Sequence, residues 1–202
     1  DVTAPEQIKV DSVVQSNGYD FKVVVSGRDN VAIEKFVLVF DGMEPITQFA
    51  SGNKAVFQVS IGADKANTTV EYTVTAYDKA GNELSLPGTQ YVADYTAPEV
   101  TGIFAVEQES GTYKLDVTSG IYEDNSDVAK SYKIYDGTTL VGTDLTADFS
   151  AYVGKTLTVV ETATDAAGNV TKQSATVSIA DYTDPEFEIN TDVSIVQSKG
   201  GY

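Results

Sequence analysis

The stretch Val70-Glu71-Tyr72-Thr73-Val74-Thr75-Ala76-Tyr77-Asp78-Lys79-Ala80-Gly81-Asn82 returns as Leu157-Thr158-Val159-Val160-Glu161-Thr162-Ala163-Thr164-Asp165-Ala166-Ala167-Gly168-Asn169. In the first copy Val70, Tyr72, Val74 and Ala76 alternate with Glu71, Thr73 and Thr75, the two-residue period of a half-buried strand. Asp-x-x-Gly-Asn then closes it with turn chemistry: Asp bonds its own backbone and Gly accepts a positive φ. The second copy breaks the pattern once, with Glu161 where the first has Val74. A carboxylate on a core face needs a partner or a raised pKa. A local bulge, or a place near the sheet end, is the more ordinary explanation.

Outward from this pair the copying extends over nearly the whole chain. Asp1-Val2-Thr3-Ala4-Pro5-Glu6, Asp94-Tyr95-Thr96-Ala97-Pro98-Glu99 and Asp181-Tyr182-Thr183-Asp184-Pro185-Glu186 share the form D-x-T-x-P-E. Asp29-Asn30 matches Asp124-Asn125, and Asp41-Gly42 matches Asp136-Gly137, each pair of aspartates 12 residues apart. The middles differ: 37 residues from Asp41 to Asp78, but 29 from Asp136 to Asp165. The extra eight predict a longer loop or an added edge strand around Met43, Pro45, Ile46 and Phe49. Several anchors in register twice mean duplication. The predicted units are 1–93, 94–180, and 181–202 as the first strand of a truncated third repeat, because Val196-Gln197-Ser198 and Gly201-Tyr202 echo Val14-Gln15-Ser16 and Gly18-Tyr19.

No window of helical length holds a 3.6-residue period, and Gly and Asn punctuate at short intervals. About seven short strands per repeat of roughly 90 residues is the pattern of a β-sandwich. The expected fold is all-β: two tandem immunoglobulin-like (fibronectin III-like) β-sandwiches in an elongated arrangement. The proline of each D-x-T-x-P-E extends the chain and stiffens the link into the first strand.

Composition narrows the chemistry. The 202 residues contain no Cys and no His, which removes thiolate chemistry, the commonest general base and the commonest transition-metal ligand. With 13 Lys+Arg against 30 Asp+Glu the net charge is −17, so nucleic acid and anionic membrane surfaces are repelled. Hard divalent cations with oxygen ligands are the partners such a surface favours, calcium first. No stretch approaches the length of a membrane span, no signal-peptide pattern opens the chain, and no nucleophile motif stands out. An enzyme is not expected.

Asp-Asn followed by a strand and Asp-Gly, then A-x-D-x-A-G-N, then D-x-T-x-P, resembles the bacterial immunoglobulin-like repeats of large extracellular and surface proteins. These occur in adhesin stalks and as accessory domains of secreted enzymes. Ala76 to Asn82 and Ala163 to Asn169 carry most of the resemblance. It implies display at a bacterial cell surface or secretion, and stacking against neighbouring repeats of the same chain.

Calcium at the domain junctions is the candidate site. In such a sandwich the second-to-third and sixth-to-seventh strand loops share the pole where the chain enters. That would gather Asp94, Glu99, Asp124, Asn125, Asp127 and Asp165 in the second repeat, and Asp1, Glu6, Asp29, Asn30 and Asp78 in the first. The competing reading is turn chemistry alone, since the same residues are ordinary turn formers and neither loop fits the EF-hand pattern. Functionally, the chain reads as a non-catalytic, monomeric extracellular spacer. The alternative is an adhesion module that contacts a glycan or protein through a loop pole or the 42–50 region. The 12 tyrosines could serve such a surface, although packing at strand rims explains them as well. Tyr72 resembles the corner tyrosine whose hydroxyl bonds back to the backbone.

Overall fold

A computed structural model describes residues 2–16 and 18–186; Asp1 and the echo of the opening at 196–202 lie outside them. Strands β1 Glu6–Gln15, β2 Asp20–Arg28, β3 Ile33–Phe40, β4 Ile46–Phe49, β5 Lys54–Ser60, β6 Thr68–Asp78 and β7 Glu83–Val92 form two antiparallel sheets, β1-β2-β5 and β4-β3-β6-β7. Alternation does the folding. Phe21, Val23 and Val25 of β2, Ala55, Phe57 and Val59 of β5, and Phe36, Leu38 and Phe40 of β3 face one another in a single core. Each large side chain so buried contributes about 1.5–3 kcal/mol. Pro87 sits inside β7 opposite Thr73, tolerated because β7 is an edge strand and needs no second row of donors. Tyr72 packs 5.4 Å from Phe40 and lies across Gly88, where a Cβ would meet its hydroxyl at 2.6 Å. Its role is to cover that glycine; among the described residues its hydroxyl has no backbone partner.

The second sandwich follows with β8 Glu99–Val100, β9 Ala105–Gln108, β10 Leu115–Thr118, β11 Tyr122–Glu123, β12 Ala129–Asp136, β13 Thr139–Gly142, β14 Thr156–Thr164 and β15 Val170–Ser178. Its larger sheet, β13-β12-β14-β15, repeats β4-β3-β6-β7 strand for strand. The opposite layer is broken into two pairs, β10-β9 and β11-β8. Phe104, Leu115, Ile134, Phe149, Leu157 and Val159 belong to a separate core. The described residues hold only two single 3₁₀ turns, Ala63–Lys65 and Ser150–Tyr152, and no helix long and apolar enough to cross a membrane.

The length difference resolves into a strand. From β4 to the first 3₁₀ turn the chain makes β5, whereas from β13 to the second it runs as a loop in which Phe149 bonds Tyr113 and Leu145 bonds Leu115 through the backbone. Most of the extra residues therefore lie beyond Phe49. Around Met43 and Ile46 the chain forms the edge strand β4, with both side chains packed on the core; Phe49 is exposed. The equal 12-residue spacings also conceal a shift. A bulge between Ile33 and Lys35 adds one residue to the first copy, so Asp41 and Asp136 are not equivalent in register.

Glu161 corrects the expected bulge. β14 pairs with both neighbours in unbroken register, Glu161 lying opposite Tyr132 and Gln173, and its side chain is fully buried. It accepts hydrogen bonds from Ser119 Oγ at 2.6 Å, Gly120 N at 3.0 Å and Tyr122 Oη at 2.8 Å. Burial pushes its pKa up, but Ser119, Tyr122, Tyr132 and the Gly120 N–H outweigh burial and hold it below the ordinary 4.5. Ser119 in turn accepts from Lys130 Nζ and Tyr122 from Gln173 Nε2, so the carboxylate ends two hydrogen-bonded chains. Those donors come from the break between β10 and β11. Where the first sandwich has Val74 in its apolar core, the second has Glu161 bonded to Ser119, Gly120 and Tyr122.

Candidate junction site

Asp94 leaves the first sandwich, Asp124 lies in the β11–β12 loop and Asp165 follows β14. Each offers a carboxylate oxygen, and the three oxygens lie within 4.8 Å of one another. Asp94 and Asp165 are buried and Asp124 is half-buried. At an effective dielectric near 20, charges at this separation repel by about 3 kcal/mol per pair.

Local hydrogen bonds fix each carboxylate. Asp124 Oδ2 accepts from Ser126 N and Oγ at 3.0 and 2.8 Å. Asp165 accepts from Asn169 N and Nδ2, both at 2.8 Å. Asp94 Oδ1 accepts from Thr96 N at 2.9 Å and Tyr19 Oη at 2.9 Å, and its Oδ2 from Asn67 Nδ2 at 3.1 Å. Burial raises the Asp94 pKa, but the Thr96 N–H, Tyr19, Asn125 and Asn67 more than offset it and hold the carboxyl below its usual range. Asp124 Oδ1 is buried without a hydrogen-bond partner. An anionic oxygen left so is costly and fits a hard cation as its missing partner. The donor set is all oxygen, which suits calcium and not a transition metal.

The first sandwich repeats the two loops. Asp29 Oδ2 accepts from Val31 and Ala32 N at 2.8 and 2.9 Å while its Oδ1 is buried and unpartnered. Asp78 accepts from Asn82 N and Nδ2 at 2.8 and 2.7 Å. Burial pushes Asp78 up, but the Asn82 side chain and the N–H groups of Asn82, Ala80 and Gly81 hold it below the ordinary range. The third expected member, Asp1, lies outside the described residues. Asn30 is exposed beside Asp29. In the second sandwich Asn125 Oδ1 accepts from Asn67 Nδ2 at 3.1 Å. Glu99 is exposed in β8 opposite Glu123, and Asp127 is exposed; neither belongs to the cluster. Glu6 is exposed at the start of β1.

No family model and no curated protein matches the chain. Among solved structures it is similar to part of a 1.5-MDa bacterial ice-binding adhesin, described for host cell surface retention, at 18% identity over 88% of this chain and 65% of that one, with a TM-score of 0.44. It is similar to a Ca²⁺-stabilized adhesin of an Antarctic bacterium, at 18% identity over 89% and 49%, TM-score 0.44. A tetra-tandem repeat from the extending region of a large adhesion protein gives 20% identity over 91% and 51%, TM-score 0.39. The chain thus spans about half to two thirds of the length of these chains.

Tyr19 and Asn67, which bond Asp94 from the body of the first sandwich, are not among the site residues that the sequence singles out. Asn67 has a left-handed φ of 59°, which suits Asn better than most residues. Its signal was an ordinary Asn after a turn. Tyr19 was visible only as part of the repeated opening.

Proposed function

We propose that the chain is a non-catalytic spacer of an extracellular, bacterial surface or secreted multidomain protein, whose sandwich junctions are stiffened by calcium. The observation that carries this reading is the meeting of Asp94, Asp124 and Asp165 from linker and two loops, with Asp124 Oδ1 lacking any donor. These three carboxylates would hold the ion. A divalent charge there would offset their mutual repulsion and tie the linker to both loops. The likeness to a Ca²⁺-stabilized adhesin and to an extending region supports the same reading. The adhesion alternative loses its main support where Met43 and Ile46 pack on the core of the first sandwich. Thermal unfolding tests the proposal: after chelator treatment, millimolar calcium should raise the melting temperature by several degrees, and magnesium should do less. A melt indifferent to calcium and chelator would rule out the calcium half of it.

A further inference from the structure

Beyond the cation site, each sandwich grips the chain that leaves it. Gln15, at the end of β1, donates from Nε2 to Ala93 O at 2.9 Å and accepts from Ala93 N at 2.8 Å. Gln108, at the end of β9, does the same to Ala180, at 3.3 and 2.7 Å. One carboxamide thereby forms both bonds of a strand rung with a linker residue. Tyr19 Oη donates to Asp94 Oδ1 at 2.9 Å and accepts from Tyr95 N at 3.4 Å. Tyr113 Oη donates to Asp181 Oδ1 at 3.0 Å and accepts from Tyr182 N at 2.9 Å. The same aspartate oxygens then take Thr96 N and Thr183 N, both at 2.9 Å.

The two grips are equivalent in the fold and not only alike in composition. Gln15 pairs with Phe21 and Gln108 with Leu115, and each tyrosine stands two residues before that partner. The gripped segments are identical, Ala93-Asp94-Tyr95-Thr96 and Ala180-Asp181-Tyr182-Thr183. Ordering a backbone residue costs conformational entropy. Each hydrogen bond returns part of it, more when a carboxylate accepts it. Five such bonds on four residues are of the size needed to hold the segment in one conformation.

We infer that Gln15 with Tyr19, and Gln108 with Tyr113, are linker clamps that set the direction in which the chain leaves each sandwich, without any cation. The clamp belongs to the preceding sandwich and ends on the aspartate with which the junction begins. It therefore positions Asp94 before the loops of the second sandwich meet it. The inference does not depend on calcium binding, and its failure is separable from that of the calcium reading.

The chain has no cysteine, so Gln58→Cys and Ser174→Cys, both at exposed strand positions, place one spin label on each sandwich of the full chain. The distance distribution between them is recorded by electron spin resonance in chelator and in calcium. The clamp predicts a narrow distribution in chelator, broadened at least about twofold by Gln15→Ala with Tyr19→Phe. Gln108→Ala with Tyr113→Phe should leave it narrow, because that clamp acts on the following segment; this pair controls for effects of the same substitutions that do not pass through the Asp94 junction. An unchanged width in the Gln15/Tyr19 variant overturns the inference. So does a parent chain as broad in chelator as that variant. If calcium changes nothing while the clamp variant broadens, the calcium reading falls and the clamp stands. Amide exchange of β2 and β5 confirms that the first sandwich of the variant remains folded, and Tyr19→Phe alone, which removes one hydroxyl, supplies the broadening test if the double variant unfolds.

Discussion

The two sandwiches keep the same ends and differ in the middle. Both loops at the entering pole are built alike, Asp29 like Asp124 and Asp78 like Asp165, and both linker clamps are alike. Between the poles the first sandwich has β5 and an aromatic core of Phe21, Phe36, Phe40 and Phe57. The second lacks β5, has β10 and β11 where the first has one strand, and buries Glu161 among polar partners. What the duplication holds fixed is the pole and the linker, the parts that meet at the Asp94 junction. The interior is free to reach a stable packing by either of two routes, apolar contact or a satisfied polar network.

That contrast can be broken from both sides. Val74→Glu in the first sandwich should have the largest effect. The new carboxylate would lie opposite Leu38 among the fully buried side chains of the apolar core, with no donor such as Ser119 or Tyr122. The expected cost is at least about 4 kcal/mol, a large part of a domain's stability, and hydrogen exchange should find β2, β3 and β6 unprotected while β12 and β14 stay protected. A first sandwich that remains protected would show that the two interiors are interchangeable.

The reciprocal change, Glu161→Val, should cost about 3 kcal/mol in urea unfolding of the second sandwich, because the Ser119 hydroxyl, the Gly120 N–H and Tyr122 lose their acceptor. A neutral or stabilising result would mean that the polar network can be replaced by simple filling.

The smallest effect is in acid. Glu161 has a folded pKa below its unfolded value, so its contribution is complete above the unfolded pKa and is lost as pH falls through the folded one. Stability of the second sandwich should therefore decline below about pH 4.5. Glu161→Gln should flatten that decline by about one proton, while the first sandwich, which keeps Asp78, retains its own acid slope. Equal slopes with and without Glu161 would deny the carboxylate this role.

How much of this could be read from the residues depended on distance along the chain. Alternation at Val70, Tyr72, Val74 and Ala76 is local and gave β6 its type and its inward face. Alternation puts Glu161 on the inward face, yet a bulge is the more ordinary expectation, because its donors lie about forty residues earlier, around a strand break without a sequence pattern of its own. The eight extra residues are countable, but the expected place around Met43–Phe49 is not where most of them lie; the strand they make, Lys54–Ser60, buries Ala55, Phe57 and Val59 and turns Lys54, Val56, Gln58 and Ser60 outward, and it only replaces a loop. Asp94, Asp124 and Asp165 were legible because the repeat brought linker and loops to one pole. Glu99 and Asp127 are close to the cluster in sequence, but Glu99 is exposed in β8 and Asp127 is exposed in the β11–β12 loop. Gln15 and Tyr19 were seen to recur, but their partners are 78 and 75 residues away, beyond what spacing can reveal.

Calcium titration of the chelator-treated full chain by calorimetry bears most directly on the junction. Saturable binding is expected, reduced by one ion in Asp124→Ala and again absent at that junction in Asp165→Ala, with magnesium a weaker competitor. A chain that takes up no calcium at millimolar concentration, or one whose stoichiometry ignores both substitutions, would contradict the role given to these three aspartates.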